Sequence, residues 1–184
     1  MLLIFGNKEK DEISIRFCGL GGMGVILASI ILGKAAILDH KNAIQTQSYG
    51  PEQRGTRVKS DLIISESDLI SFPTEKKVDI IVAFSNDAYQ FYSLKVKNDG
   101  WRFINSDLIK LNGEKSNIYQ VPAITLAKEL KNDKLLNIIM LGGLIKKSNL
   151  VSQDAVIKSI SDTVPSRFIK LNNDAFFKGY EYLK

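Results

Sequence analysis

The stretch ISIRFCGLGGMGVILASIILGKAAIL, residues 13–38, constrains this chain more than any other part of it. A β-rich run leads into Gly19, Gly21, Gly22 and Gly24, with Met23 among them, and a long apolar run of helical length follows. The pattern predicts strand, loop and helix. Glycine reaches positive φ without penalty and removes side chains that would hold a ligand away. A helix that starts behind such a loop aims unpaired N–H groups and the positive end of its dipole at whatever lies in front, and an anion is the expected occupant. Gly19-x-Gly21-x-x-Gly24 also has the dinucleotide spacing, but that fingerprint needs an acidic residue closing the second strand to hold a ribose. Here the second strand reads NAIQTQS, residues 42–48, and ends without one. The glycine loop needs another partner.

Short β-rich runs alternate with helical ones over the first two thirds of the chain, predicting strands at 14–18, 43–48, 57–65, 79–84, 101–105 and 117–121. Helices are predicted at 25–39, 86–96, 122–130, 137–146, 153–161 and 173–183. The expected fold is α/β, a three-layer Rossmann-like domain with a mixed, largely parallel sheet, with residues 1–184 as a single domain whose core runs from about 13 to 182. The second and third strands are joined by YGPEQRGT, too short for a crossover helix. They either pair antiparallel or the loop leaves the sheet to reach something outside it. Asn98-Asp99-Gly100 reads as a turn before Trp101, and Pro122 suits the first turn of a helix. The helices at 25–39 and 137–146 have almost no polar stripe and must be buried on more than one side, in a crowded core or a subunit interface. Gly142 and Gly143 inside the latter each cost about 1 kcal/mol relative to Ala, which close helix approach would recover.

The net charge of +5 is spread along the chain, as in Lys8-Glu9-Lys10 and Lys146-Lys147, and no nucleic-acid-binding pattern accompanies it. Neither nucleic acid nor membrane is an expected partner, since the longest apolar run is interrupted and too short to cross a bilayer. The opening MLLIFGNKEKDE has no basic start or cleavage site, which predicts a cytoplasmic protein. A single cysteine excludes an internal disulfide and any iron–sulfur cluster held by this chain alone. Cys18 is expected as a small buried hydrophobe and His40 as exposed material at a helix end, so no catalytic or metal-ligating residue is assigned. Trp101, Tyr89, Phe91 and Tyr92 are expected in core or interface.

QSYGPEQRGT, residues 47–56, is the second motif. A turn set by Gly50 and Pro51 presents Tyr49, Glu52 and Arg54, and Gly55 lets the chain fold back into the next strand. Arg54 offers a planar fork suited to carboxylate or phosphate, with Glu52 near enough to orient it.

With GLGGMG after the first strand, QSYGPEQRG before the third, DIIVAFS in the fourth and NIIMLGGLI downstream, the chain resembles the gamma subunit, or gamma domain, of 2-oxoacid:ferredoxin (flavodoxin) oxidoreductases over residues 13–182. TQSYGPEQRG is most similar to the 2-oxoglutarate type, while pyruvate, branched-chain and indolepyruvate enzymes stay open. Two positions depart from the family pattern: Met23 stands where Gln is usual, and Thr56 where a second Gly is usual. The resemblance implies oxidative decarboxylation of a 2-oxoacid to an acyl-CoA, with thiamine diphosphate and [4Fe-4S] clusters in partner alpha and beta subunits, delta as a further candidate partner, and ferredoxin taking the electrons. No Gly-Asp-Gly…Asn pattern for metal-bound thiamine diphosphate occurs in this chain. The implied role of Gly19, Gly21, Gly22, Met23, Gly24, Tyr49, Gly50, Glu52, Arg54 and Gly55 is to form the coenzyme A and substrate side of the active site, with Arg57 and Lys59 adding positive charge. The same loops would serve equally to contact a neighbouring subunit. The alternatives are a free-standing nucleotide-binding module and a purely structural scaffold subunit.

Overall fold

The strand that leads into the glycine stretch lies inside a six-stranded sheet. A computed structural model describes residues 3–5, 8–48, 55–67, 70, 77–111 and 117–183. A short antiparallel hairpin, β1 (Leu3–Phe5) and β2 (Lys8–Lys10), comes first. Then follow β3 (Glu12–Leu20), α1 (Val25–Leu38), β4 (Asn42–Ser48), β5 (Arg57–Ser65), β6 (Val78–Ala83), α2 (Asn86–Tyr92), β7 (Val96–Asn105) and β8 (Ile118–Val121). The chain closes with α3 (Ala123–Glu129), α4 (Leu136–Ser148), α5 (Gln153–Ser161) and α6 (Ile169–Tyr182). Strand order is β4-β5-β3-β6-β7-β8; β5 alone runs against its neighbours, and β3, β6, β7 and β8 are parallel. The expected mixed, largely parallel sheet is what forms, and the link between the second and third strands closes an antiparallel pair.

Side-chain alternation sorts the strands onto two faces. Ile13, Ile15 and Phe17 enter the larger core with α1 and the helices α3 to α6, whereas Cys18 joins Ile81, Ala83 and Tyr89 beneath α2. The α2 side also buries charge: Arg16 donates to both Asp61 oxygens, through Nε at 2.6 Å and NH2 at 2.8 Å. Asp79 accepts from the Ser14 N–H and hydroxyl and pairs with Lys10 and Lys97. Of the two helices without a polar stripe, α4 is core from Leu136 to Ile145. It crosses α6 so closely that a Cβ on Gly142 would stand 2.1 Å from the Phe176 carbonyl oxygen, and one on Gly179 1.8 Å from that of Ile139. By contrast α1 leaves Ile37 and Leu38 exposed.

Several boundaries differ from expectation. The predicted helix 86–96 stops at Tyr92 and tightens into a 3₁₀ turn, Ser93–Lys95, because Val96 already pairs with Val78. Asn98-Asp99-Gly100 lies within β7: the ladder resumes at Ile80 with Trp101, so three extra residues bulge out of the strand. Gly100 is needed there, since a Cβ would meet the Asp79 carbonyl oxygen at 2.7 Å. Pro122 precedes α3 as its cap residue, and α6 starts four residues earlier than predicted, after a 3₁₀ turn at Ser166–Phe168. The hairpin was not anticipated.

His40 is exposed, as expected, but it has a backbone task. The His40 N–H donates to the Ile37 carbonyl and the Lys41 N–H to that of Ala36, which is the Schellman closure of α1, with His40 at φ 59°. A histidine in this left-handed conformation is strained where glycine is not. His40→Gly is therefore expected to stabilise the chain by about 1 kcal/mol, seen as a melting temperature raised by about 2–4 °C. An unchanged or lowered melting temperature would contradict the strain.

Candidate functional site

β3, β4, β6, β7 and β8 all end, and β5 begins, along one edge of the sheet, so the loops after β3, β4 and β6 share that edge. The chain leaves β3 through α1 toward β4 on one side and leaves β6 through α2 toward β7 on the other. Such a reversal point is where open α/β sheets leave a crevice for ligands. Two buried amide–carbonyl ties stiffen it: the Phe84 N–H donates to the Cys18 carbonyl at 2.8 Å, and Asn105 Nδ2 donates to the Phe84 carbonyl at 3.2 Å. The Asn105 Oδ1 in turn accepts the Ala123 N–H that opens α3. Ser85 caps α2 by accepting the Ala88 N–H.

The glycines of the first motif divide by task. Gly19 belongs to β3 and is buried; a Cβ would stand 3.0 Å from Phe84 and from Val25, so glycine here serves close packing. Gly21 donates its N–H to the Thr56 carbonyl at 3.0 Å, tying the first loop to the return of the second. Gly22 (φ 97°) and Gly55 (φ 81°) take left-handed backbone, and among the described residues no heavy atom lies within 4 Å of where a Cβ on either would stand. Gly24 (φ 73°, ψ 22°) caps α1 without any side-chain hydrogen bond, and no acidic residue sits in the first turn. Among the described residues, then, no side chain caps the leading N–H groups of α1.

Met23 curls back over the loop. Its N–H donates to the Leu20 carbonyl at 3.1 Å while its Sδ accepts the Leu20 N–H at 3.4 Å. A thioether is a weak acceptor, so the side chain at 23 holds the loop's inner contact only lightly. Thr56 contributes its carbonyl to the Gly21 tie and does not need positive φ. Tyr49, Gly50, Glu52 and Arg54 lie outside the described residues.

Arg57 and Lys59, expected to add positive charge beside the first helix, are committed elsewhere. Both lie on β5 and point to the α2 side. Arg57 sits 4.4 Å over the Phe91 ring and 3.3 Å from Asp87, an exposed pair of little energetic weight. Lys59 pairs with Asp61 at 2.7 Å. Cys18 is fully buried, and burial pushes its thiol up against the partial opposing effect of Arg16, so it is a packed hydrophobe and no thiolate. Asn137 was missed on sequence. It is 2 % exposed at the head of α4, and its Nδ2 donates to the Gly24 carbonyl at 3.2 Å. The available signal was one amide at the start of an otherwise apolar helix. Among the described residues no helix is long and apolar enough to cross a membrane, and no three His, Cys, Asp or Glu side chains gather as metal ligands.

The sequence and the fold are similar to those of known proteins. The 2-oxoglutarate synthase subunit KorC of Methanocaldococcus jannaschii is 43% identical over 185 aligned positions, covering 97% of this chain and 98% of that one. The gamma subunit of a keto/oxoacid ferredoxin oxidoreductase from Geobacter sulfurreducens superposes with a TM-score of 0.80 at 36% identity, over 92% of this chain and 96% of that one. A 2-oxoglutarate:ferredoxin oxidoreductase from Magnetococcus marinus, solved with 2-oxoglutarate, coenzyme A and succinyl-CoA bound, shares the fold at TM-score 0.81 and 22% identity, over 96% of this chain and 32% of that one. The pyruvate ferredoxin/flavodoxin oxidoreductase model matches residues 14–182, and the chain belongs to that family.

Proposed function

We propose that this chain is the gamma subunit of a 2-oxoglutarate:ferredoxin oxidoreductase, and that the loop edge of its sheet forms the coenzyme A side of an active site completed by alpha and beta subunits. Support for the substrate comes from the likeness to KorC along nearly the whole chain. Support for coenzyme A comes from its presence in the Magnetococcus marinus enzyme of the same fold. The observation that carries the reading is the start of α1 behind Gly22, a set of N–H donors at the positive end of a helix for which the described residues supply no capping side chain and no acidic residue in the first turn. Coenzyme A is polyanionic, and its phosphates are the ligand such an end favours. Arg54, on the neighbouring loop, is the proposed charge partner. The reaction consumes 2-oxoglutarate, coenzyme A and two oxidised ferredoxins and yields succinyl-CoA, carbon dioxide, a proton and two reduced ferredoxins.

The described residues do not fit a cluster or thiamine diphosphate. The single cysteine is buried as a thiol, and at the loop edge Asp107 is taken up by the Thr125 N–H and hydroxyl, both at 2.8 Å, as Asp87 is by Arg57. Thiamine diphosphate and [4Fe-4S] clusters, which supply the decarboxylation and electron chemistry, are assigned to the partner subunits. This chain's part is to bind and orient the thiol co-substrate and to close that side of the site to water. In this reading residues 1–184 act as one domain in a cytoplasmic hetero-oligomer, and delta joins alpha and beta as a candidate partner.

The test introduces a charge at the open glycine. Asp and Asn both tolerate left-handed backbone, so Gly22→Asp and Gly22→Asn differ only in charge. In the reconstituted complex Gly22→Asp is expected to raise the KM for coenzyme A about 10-fold or more above that of Gly22→Asn, since a carboxylate facing a phosphate near 4 Å costs about 4 kcal/mol at the effective dielectric of a protein surface and about 1.4 kcal/mol is tenfold. Equal KM values for the two variants would refute the coenzyme A placement.

A further inference from the structure

The Gly24 carbonyl serves two donors, the Ala28 N–H of the first turn of α1 at 3.0 Å and Asn137 Nδ2 from α4 at 3.2 Å. The fit is steric as well as polar. A Cβ on Gly24 would stand 2.4 Å from Asn137 Nδ2, so glycine at 24 and asparagine at 137 occupy one space between them. Asn137 is buried between Leu136 and Ile138, both core residues. An amide costs more than leucine in such a place unless its hydrogen bonding is used, and here it is spent on the carbonyl of the residue that starts α1. Gly24 is left-handed and has no capping side chain from its own segment. The direction in which the first N–H groups of α1 point is therefore held from 113 residues away.

We infer that Asn137 is a positioning residue for coenzyme A: it contacts no ligand, but clamps Gly24 so that the start of α1 meets the anionic group in register. This rests on the coenzyme A placement proposed above. Apolar helix packing alone would keep α4 in place without it, so the amide's contribution is to the loop. Misplacement of a bound group by about 1 Å can cost about 100-fold in rate, which sets the scale of the expected effect.

The experiment compares Asn137→Leu and Asn137→Ala in the reconstituted complex, with coenzyme A affinity measured by calorimetry alongside KM for both substrates. Asn137→Leu keeps volume and loses the donor; Asn137→Ala loses the donor and adds no bulk beside Gly24. Both are expected to weaken coenzyme A about 10-fold or more while the KM for 2-oxoglutarate moves less than about 2-fold, and to speed hydrogen exchange at Ala28 in the isolated chain. Should Asn137→Leu not fold, the Ala variant carries the same readouts. Coenzyme A affinity within about 2-fold of the parent, or equal losses for both substrates, would overturn the inference. If Gly22→Asp moves coenzyme A and the Asn137 variants do not, only the positioning role falls; if none of them does, the coenzyme A placement itself has failed.

Discussion

Gly179→Ala is expected to lower the melting temperature by about 6–12 °C, the equivalent of about 3 kcal/mol in a chain of this size. Alanine's better helix propensity returns about 1 kcal/mol, so the strain itself must exceed the net loss. Its source is backbone against backbone: the new methyl would stand 1.8 Å from the Ile139 carbonyl oxygen and 2.9 Å from the Ile139 Cα. No rotamer change relieves that contact, and α6 must move off α4, unpacking Phe176 and Ala175 from the core. Gly143→Ala provides the control. Its methyl would press only on side-chain ends, Val121 Cγ2 at 3.0 Å and Leu183 Cδ1 at 3.2 Å, which can shift, while the Gly179 carbonyl oxygen stands at an ordinary 3.6 Å. A thermal melt followed by circular dichroism should show Gly143→Ala within about 2–4 °C of the parent. Similar melting temperatures for the Gly179 and Gly143 variants would mean that the helices are not held at backbone distance.

The second large effect concerns the buried pair. Asp61→Leu strands the Arg16 guanidinium, whose side chain is 4% exposed, with the Tyr92 ring at 5.4 Å as its remaining neighbour of note. Removing one partner of such a pair costs about 3–5 kcal/mol, whereas replacing both by apolar residues is close to neutral. Urea unfolding at pH 7 should therefore place Asp61→Leu far below the parent and Arg16→Met/Asp61→Leu near it. The pH dependence has a definite sign. Burial raises the Asp61 pKa, but hydrogen bonds from Arg16 and Lys59 outweigh it and hold the carboxyl below the ordinary range. A carboxyl depressed on folding gives stability that is fully present above the unfolded value of about 3.9 and is lost as pH falls through the folded one. Asp79 is depressed too, burial being outweighed by Lys10, Ser14 and Lys97, and it remains in the variants. The gap between parent and Asp61→Leu should narrow on acidification from pH 7 toward pH 3; a gap that widened would reverse the assignment.

The elements were legible where one residue type carries the information locally. The glycine loop could be placed because glycine signals its own backbone freedom, and β5 matched residue for residue because VKSDLIIS alternates and then runs apolar between turn residues. The bulge in β7 could not be read, since Asn98-Asp99-Gly100 has turn chemistry and only pairing with β6 draws it into a strand. The backbone of the glycine loop was legible in its glycines, and the pairing of the charges around it was not. Arg57 was expected to serve the loop because its partner Asp87 lies 30 residues on, and Asn137 drew no expectation because the carbonyl it serves lies 113 residues back.

The bond from the Gly21 N–H to the Thr56 carbonyl joins two main-chain atoms, so no side chain encodes it. The register of β3 with β5, Leu20 opposite Arg57, delivers both atoms to the same place whatever residue stands at 56. Threonine could replace glycine there without severing the two loops from each other. At 21 the latitude is nearly as wide, because every residue except proline keeps the donor. The glycine loop and the entry to β5 are thus coupled through main chain alone, and only deleting an amide hydrogen or slipping a strand would uncouple them.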